Sequence, residues 1–203
     1  VVNDGTNKWE VGIAAEPLGL RGAYVSNDGG VTHRFTTTVD NVSHFYRDVT
    51  FSADEPMIVL RFSWTGAGNY DFDKMQVFLV STEITPVAGV RLLSGGRIGF
   101  PSYYSVFKDQ LRYTEAWIPI PISAAGTTKR LVFSWVNSFS ILNTFQPPTA
   151  IDNISLVSEG AITDGWVSGV NRVVRTGDIA VVDQDATVKN LVLEPGATVH
   201  FDP

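Results

Sequence analysis

The chain has 203 residues, 44% of them hydrophobic, no cysteine, and a formal net charge of −6 from 15 Lys+Arg against 21 Asp+Glu. This composition supports a packed core rather than a disordered chain, and an acidic balance without a basic cluster argues against nucleic acid as the partner. With no cysteine there is no disulfide framework, zinc–thiolate site or thiol nucleophile, and no run approaches the roughly 18 apolar residues of a membrane-spanning helix.

The opening Val1-Val2-Asn3-Asp4-Gly5 reads as loop, so a processed chain or a part of a longer one is expected. No window carries both a cap and a 3.6-residue apolar period, so helices are not predicted. Short β-branched and aromatic runs recur instead, separated by Gly, Pro, Asn and Asp, and predict strands over 8–13, 22–26, 43–51, 57–64, 74–81, 111–120, 128–136 and 150–157. In the fourth, Ile58, Leu60, Phe62 and Trp64 alternate with Arg61 and Ser63. In the seventh, Leu131, Phe133 and Trp135 share one face. Such alternation predicts one buried and one solvated face, the pattern of an antiparallel sandwich. Gly29-Gly30 and Gly95-Gly96 read as hairpin turns. The fold expected over residues 1–158 is all-β, a two-sheet antiparallel jelly-roll sandwich.

Three stretches stand out within it. The aromatic loop Phe100-Pro101-Ser102-Tyr103-Tyr104-Ser105-Val106-Phe107 offers Tyr103 and Tyr104, with Arg97, Lys108, Asp109 and Gln110 nearby, as a sugar-binding surface or as a cover over the core. The apolar stretch 139–145 is a binding patch if exposed, and otherwise a loop that buries Ile141, Leu142 and Phe145. In Ala150-Ile151-Asp152-Asn153-Ile154-Ser155-Leu156, entered through Pro147-Pro148, a carboxylate sits among apolar residues. A buried carboxylate is costly unless paired, so Asp152 is expected either to brace a loop by hydrogen bonds or to serve as an oxygen ligand.

From residue 159 to 203 the aromatic density falls and short alternating runs appear at 172–175, 179–182, 187–193 and 197–201. This segment is expected to be a separate β extension. Its stretch 188–199 resembles one rung of a β-solenoid, which must stack on something to bury its face.

Trp9-Glu10-Val11-Gly12, Gly22-Ala23-Tyr24-Val25-Ser26-Asn27-Asp28-Gly29-Gly30, Ser43-His44-Phe45-Tyr46-Arg47-Asp48-Val49, Tyr70-Asp71-Phe72-Asp73-Lys74-Met75-Gln76-Val77-Phe78 and the 147–156 block follow one another in this order. Together they resemble the choice-of-anchor J and cleaved-adhesin type of MAM-like jelly-roll domain found in Bacteroidetes surface proteins exported by the type IX system. The resemblance covers about residues 1–157. It implies adhesion or carbohydrate binding rather than catalysis, often with a structural calcium ion (Ca2+). Asp73 and Asp152 match the family's ion-site carboxylates, while a Phe-Glu pair usual in the family would fall before Val1. Calcium needs six to eight oxygens; Asp48, Asp71 and Asn69 are the further candidate donors, and the alternative is that Asp152 and Asp73 accept backbone N–H bonds.

Catalysis has little support: Ser43, His44 and Asp48 are neighbours in one strand, which rarely gives triad geometry. The expected function is a non-catalytic binding module, secreted or on the cell surface, recognising a glycan or a cell-surface protein and joined to adjoining domains. The alternatives are a spacer in a surface filament and, behind it, a polysaccharide-active enzyme.

Overall fold

A computed structural model of the chain describes residues 1–53, 58–68, 73–98, 106–107, 110–141, 146–158, 171–174, 179–182, 190–193 and 195–201. Nine strands build the body: β1 (Lys8–Gly12), β2 (Gly22–Ser26), β3 (Asn41–Thr50), β4 (Ile58–Gly66), β5 (Asp73–Ser81), β6 (Val106–Phe107), β7 (Gln110–Pro119), β8 (Thr128–Asn137) and β9 (Ala150–Ser158). They form a five-stranded sheet in the order β1-β2-β9-β4-β7 and a four-stranded sheet in the order β3-β8-β5-β6. All ladders in these two sheets are antiparallel. The pairs β5–β6, β4–β7, β3–β8 and β2–β9 are nested inside one another along the chain, which is the winding of a jelly roll. The all-β sandwich expected from the sequence is therefore the fold.

The alternating positions meet between the sheets. Leu60 and Phe62 of β4 face Leu131, Phe133 and Trp135 of β8, all buried, and the Phe62 and Phe133 rings meet edge to face at 5.2 Å. β8 departs from the expected one-sided pattern, because Val132, Ser134 and Val136 on its other face are buried as well. The chain leaving β5 covers that face: Leu92 packs on Phe78, Val80 and Val132, and the carbonyls of Val87 and Val90 lie 3.2 and 3.1 Å from Nε2 of His44.

Four further strands carry the C-terminal part: β10 (Asn171–Val174), β11 (Ile179–Val182), β12 (Asn190–Leu193) and β13 (Thr198–Phe201). β10 pairs with β12, and β11 with β13, in parallel. Asn171 stands opposite Asn190 and Ile179 opposite Thr198, so both ladders share one offset, the pattern of stacked turns of a coil. His200 of β13 meets the ring of Trp117 on β7 at 5.8 Å. Arg61 lies over the same indole, 3.6 Å from its centroid.

Two local expectations are corrected. Gly95-Gly96 belongs to a 3-10 turn, Ser94–Gly96, and not to a hairpin. Ile141 is 75% exposed instead of tucked away, as is most of Phe139 at 55%; Leu142 and Phe145 lie outside the described residues.

Candidate binding cleft

The β4–β9 ladder slips between two of its pairs. Arg61 is opposite Ser155 and Ser63 opposite Asp152, so Asn153 and Ile154 together face Phe62. This β-bulge places Asn153 in the left-handed region at φ 51°, which Asn tolerates better than most side chains. Asp152 is 8% exposed; its Oδ1 accepts the N–H of Asn153 at 2.8 Å and its Oδ2 accepts the N–H of Gly19 at 3.1 Å. One oxygen holds the bulge and the other ties down the loop 13–21, across 133 residues of sequence.

A second hydrogen bond holds the same loop. The Tyr113 hydroxyl donates to the Ala15 carbonyl at 3.2 Å. Burial, aided by the Asp152 charge, pushes the Tyr113 phenol up to about 12, so it stays a donor at all ordinary pH. Tyr113→Phe should cost about 1 kcal/mol of stability, the value of one such bond, and loosen residues 14–16; urea unfolding with amide exchange measures both.

The facing wall is the turn after β2. Asp28 accepts hydrogen bonds from the Ser26 hydroxyl and from the Thr32 N–H and hydroxyl, at 2.7 to 2.9 Å, and these bonds draw its carboxyl down to about 2. Gly29 and Gly30 supply the positive φ angles of 74° and 87° that the turn needs. This turn delivers His33 against the edge of Tyr24, 5.7 Å between rings. Burial lowers His33 to about 4, although the carbonyls of Pro148 and Thr149 oppose the shift, so the imidazole is neutral at physiological pH.

Between these walls lies a cleft of about 590 Å³. Ala14, Glu16 and Leu18 border it on the loop side, His33 and Arg34 on the turn side, and Leu111, Arg112 and Tyr113 along β7. Among the described residues Glu16 is the one carboxylate in its lining. The hydroxyls of Thr32, Thr65 and Tyr113 in its lining are engaged with Asp28, the Gln110 carbonyl and the Ala15 carbonyl. The described lining residues can bind and orient a partner.

The carboxylates singled out from the sequence do not converge. Asp48 lies on the outer face of β3, gripped by both arms of Arg130 at 2.7 and 2.9 Å, which holds it below the usual carboxylate range. Asp73 is fully buried; its Oδ1 accepts from Asn137 Nδ2 at 2.8 Å and its Oδ2 has no partner among the described residues. Asn137 Oδ1 in turn accepts from Asn7, whose side chain is also bonded to the N–H and carbonyl of Thr36 at 2.8 Å each. Each oxygen of Asp152 accepts one backbone N–H. Among the described residues no three His, Asp or Glu side chains gather to hold an ion, and Asp71 and Asn69 lie outside them. No role below is routed through the ion.

Ser43, His44 and Asp48 form no triad: the Ser43 hydroxyl donates to the Asn7 carbonyl at 2.9 Å, while His44 faces the Val87 and Val90 carbonyls. Arg97 bridges to Phe78 beside β5; Tyr103 and Tyr104 lie outside the described residues. The sequence reading missed His33, Arg34, Arg112 and Tyr113. No local motif marks them, because the jelly-roll winding brings together residues from opposite ends of the nested pairs.

Fold and cleft together define a jelly-roll β-sandwich with a preformed groove at one end. No family model matches the chain, and no curated protein matches it. Among solved structures it is similar to the K1 cleaved adhesin domain of Lys-gingipain from Porphyromonas gingivalis W83, at 18% identity and a TM-score of 0.41, over 76% of this chain and 85% of that one. No residue role is carried over from that domain.

Proposed function

We propose that the chain is a non-catalytic, extracellular binding module of a larger surface or secreted polypeptide. It takes hold of its partner, a glycan or a cell-surface protein, in the cleft between the 13–21 loop, the turn at His33 and β7. One observation carries this reading: the cleft's walls are fixed in advance by Asp152, Tyr113 and Asp28, around a groove lined by His33, Arg34 and Arg112. Walls ordered before binding reduce the entropic cost of capture. The ordered sequence motifs support it independently.

The test is binding of the whole chain to a glycan array and to immobilised cell-surface proteins, with Arg112→Ala beside the native chain. At least one binder that Arg112→Ala weakens is expected; no binder, or binders indifferent to cleft substitutions, overturns the reading. Release of reducing ends from a polysaccharide panel would replace it with an enzyme.

A spacer role is the second reading, supported by the two parallel ladders at the C-terminal end. Such coils extend by stacking. Tandem repeats of the body in the full-length polypeptide would favour it over recognition.

A further inference from the structure

We infer that the outer edge of β3 is an interaction surface that takes an extended segment of a partner polypeptide as an added antiparallel strand. It shares no lining residue with the cleft and does not rest on it. β3 is the outer strand of its sheet, and its ladder with β8 runs from Asn41 to Thr50 without a slip. The Val2 N–H and carbonyl bond the His44 carbonyl and N–H at 2.8 Å each. The peptide groups of His44 therefore point away from β8, and by the alternation of a strand those of Tyr46, Asp48 and Thr50 point the same way. Among the described residues nothing bonds them on that side. Val2 thus begins a strand lane along β3 that no other described residue continues.

An edge alone is a liability that water can satisfy; this edge also stands over an open apolar groove. β2 pairs with β9 only at Ala150 and Ile151, so beside residues 153–158 the facing sheet has no described strand on that side. Between the two edges lies a groove of about 590 Å³, floored by Leu131 and Phe133 and flanked by Phe45 and Val49 of β3 and by Ile154 and Leu156 of β9. Phe45, Val49 and Leu156 are only partly buried and Ile154 is 41% exposed, so the core is open along this seam. An added strand satisfies both features at once. Its peptide groups pair with those of Tyr46 and Asp48, and its side chains opposite Arg47 and Val49 share their face and drop into the groove. The partner is therefore an extended segment, apolar at every second position, with its own peptide groups free. A second copy of this chain fits worse, because pairing two β3 edges about a two-fold centred on Arg47 or Asp48 sets like charges against each other. Towards a different strand the edge is not repulsive, since Asp48 is paired with Arg130 at 2.7 Å.

The probe is a labelled peptide, Thr-Val-Thr-Ile-Lys, whose Val and Ile fall opposite Val49 and Arg47 when it runs antiparallel to β3. Fluorescence polarisation with the whole chain is expected to show binding, and amide exchange to slow at Tyr46 and Asp48, the N–H groups that the peptide covers. N-methylation of the central Thr removes the donor aimed at the Asp48 carbonyl and should weaken binding about tenfold, the worth of one hydrogen bond. N-methylation of the Ile, whose N–H faces away from β3, should leave binding unchanged. Ile154→Glu puts a charge into the groove from an exposed site and should also weaken binding, with an unchanged melting curve certifying its fold. Absence of binding, binding that spares the Tyr46 and Asp48 amides, or binding indifferent to where the methyl group sits overturns the inference. Slowed exchange at the same amides that grows with protein concentration, without peptide, assigns the edge to a second copy and overturns the partner assignment.

Discussion

Asp152→Ala is expected to lower the thermal midpoint by about 3–12 °C, because two backbone N–H groups lose a charged acceptor worth roughly 1.5–3 kcal/mol and a domain of this size shifts by about 2–4 °C per kcal/mol. The damage should be local in origin. Amide exchange at Gly19 and Asn153 should rise first, followed by the rest of the 13–21 loop, since these are the N–H groups that the carboxylate holds. Asp152→Asn keeps one acceptor oxygen and should fall between the native chain and Asp152→Ala. The same series separates hydrogen bonding from ion binding. If the carboxylate works through the two N–H groups, melting in calcium and in chelator coincides for the native chain. A midpoint that rises with calcium, and stops rising in Asp152→Ala, would return Asp152 to the role of an ion ligand.

The second large effect concerns Asp73. Burial raises its carboxyl from 3.8 to about 7, the Asn137 hydrogen bond only partly offsetting that cost. The folded chain therefore holds this proton more tightly than the unfolded chain does. Between pH 4 and 7 folding takes up a proton, and stability from this group falls as pH rises, by up to about 4 kcal/mol across the window. His33 acts in the opposite sense. Its folded value of about 4 lies below the ordinary 6.5, so its contribution is lost as pH falls through that interval; His44, lowered by burial, adds to it. The native chain's own pH curve mixes the two. The difference between Asp73→Asn and the native chain isolates the carboxyl, and should move in favour of the variant as pH rises from 4 to 7. A pH-independent difference would show that Asp73 titrates normally.

The strands were legible because period-2 alternation reports burial directly. Gly22–Ser26 was predicted residue for residue, and Leu60, Phe62, Leu131, Phe133 and Trp135 were predicted core residues that are buried. The two-residue strand β6 was not, since Val106–Phe107 is too short for any period and sat inside what read as an aromatic loop. The outer burial of β8 was hidden because a covering loop, not β8's own pattern, creates it. Asp152 was legible as an anomaly, a charge in an apolar strand, but its bulge was not. The parallel pairing of the last four strands escaped too, since alternation does not encode strand direction. The cleft was least visible of all: Arg34 and Arg112 are ordinary surface residues in sequence, and only the winding makes them neighbours of one groove.

The nested order of strand pairs also sets a sequence of events in time. Closing a loop costs more entropy as the loop lengthens, and the span enclosed grows from β5–β6 outward to β2–β9. Folding should zip from the inner pairs toward the outer ones, and β2–β9, joined by only two residue pairs, should close last. The 13–21 loop hangs from that final closure. The cleft end would then be the last part of a newly made chain to mature, so a half-folded molecule would carry a formed core but no complete cleft.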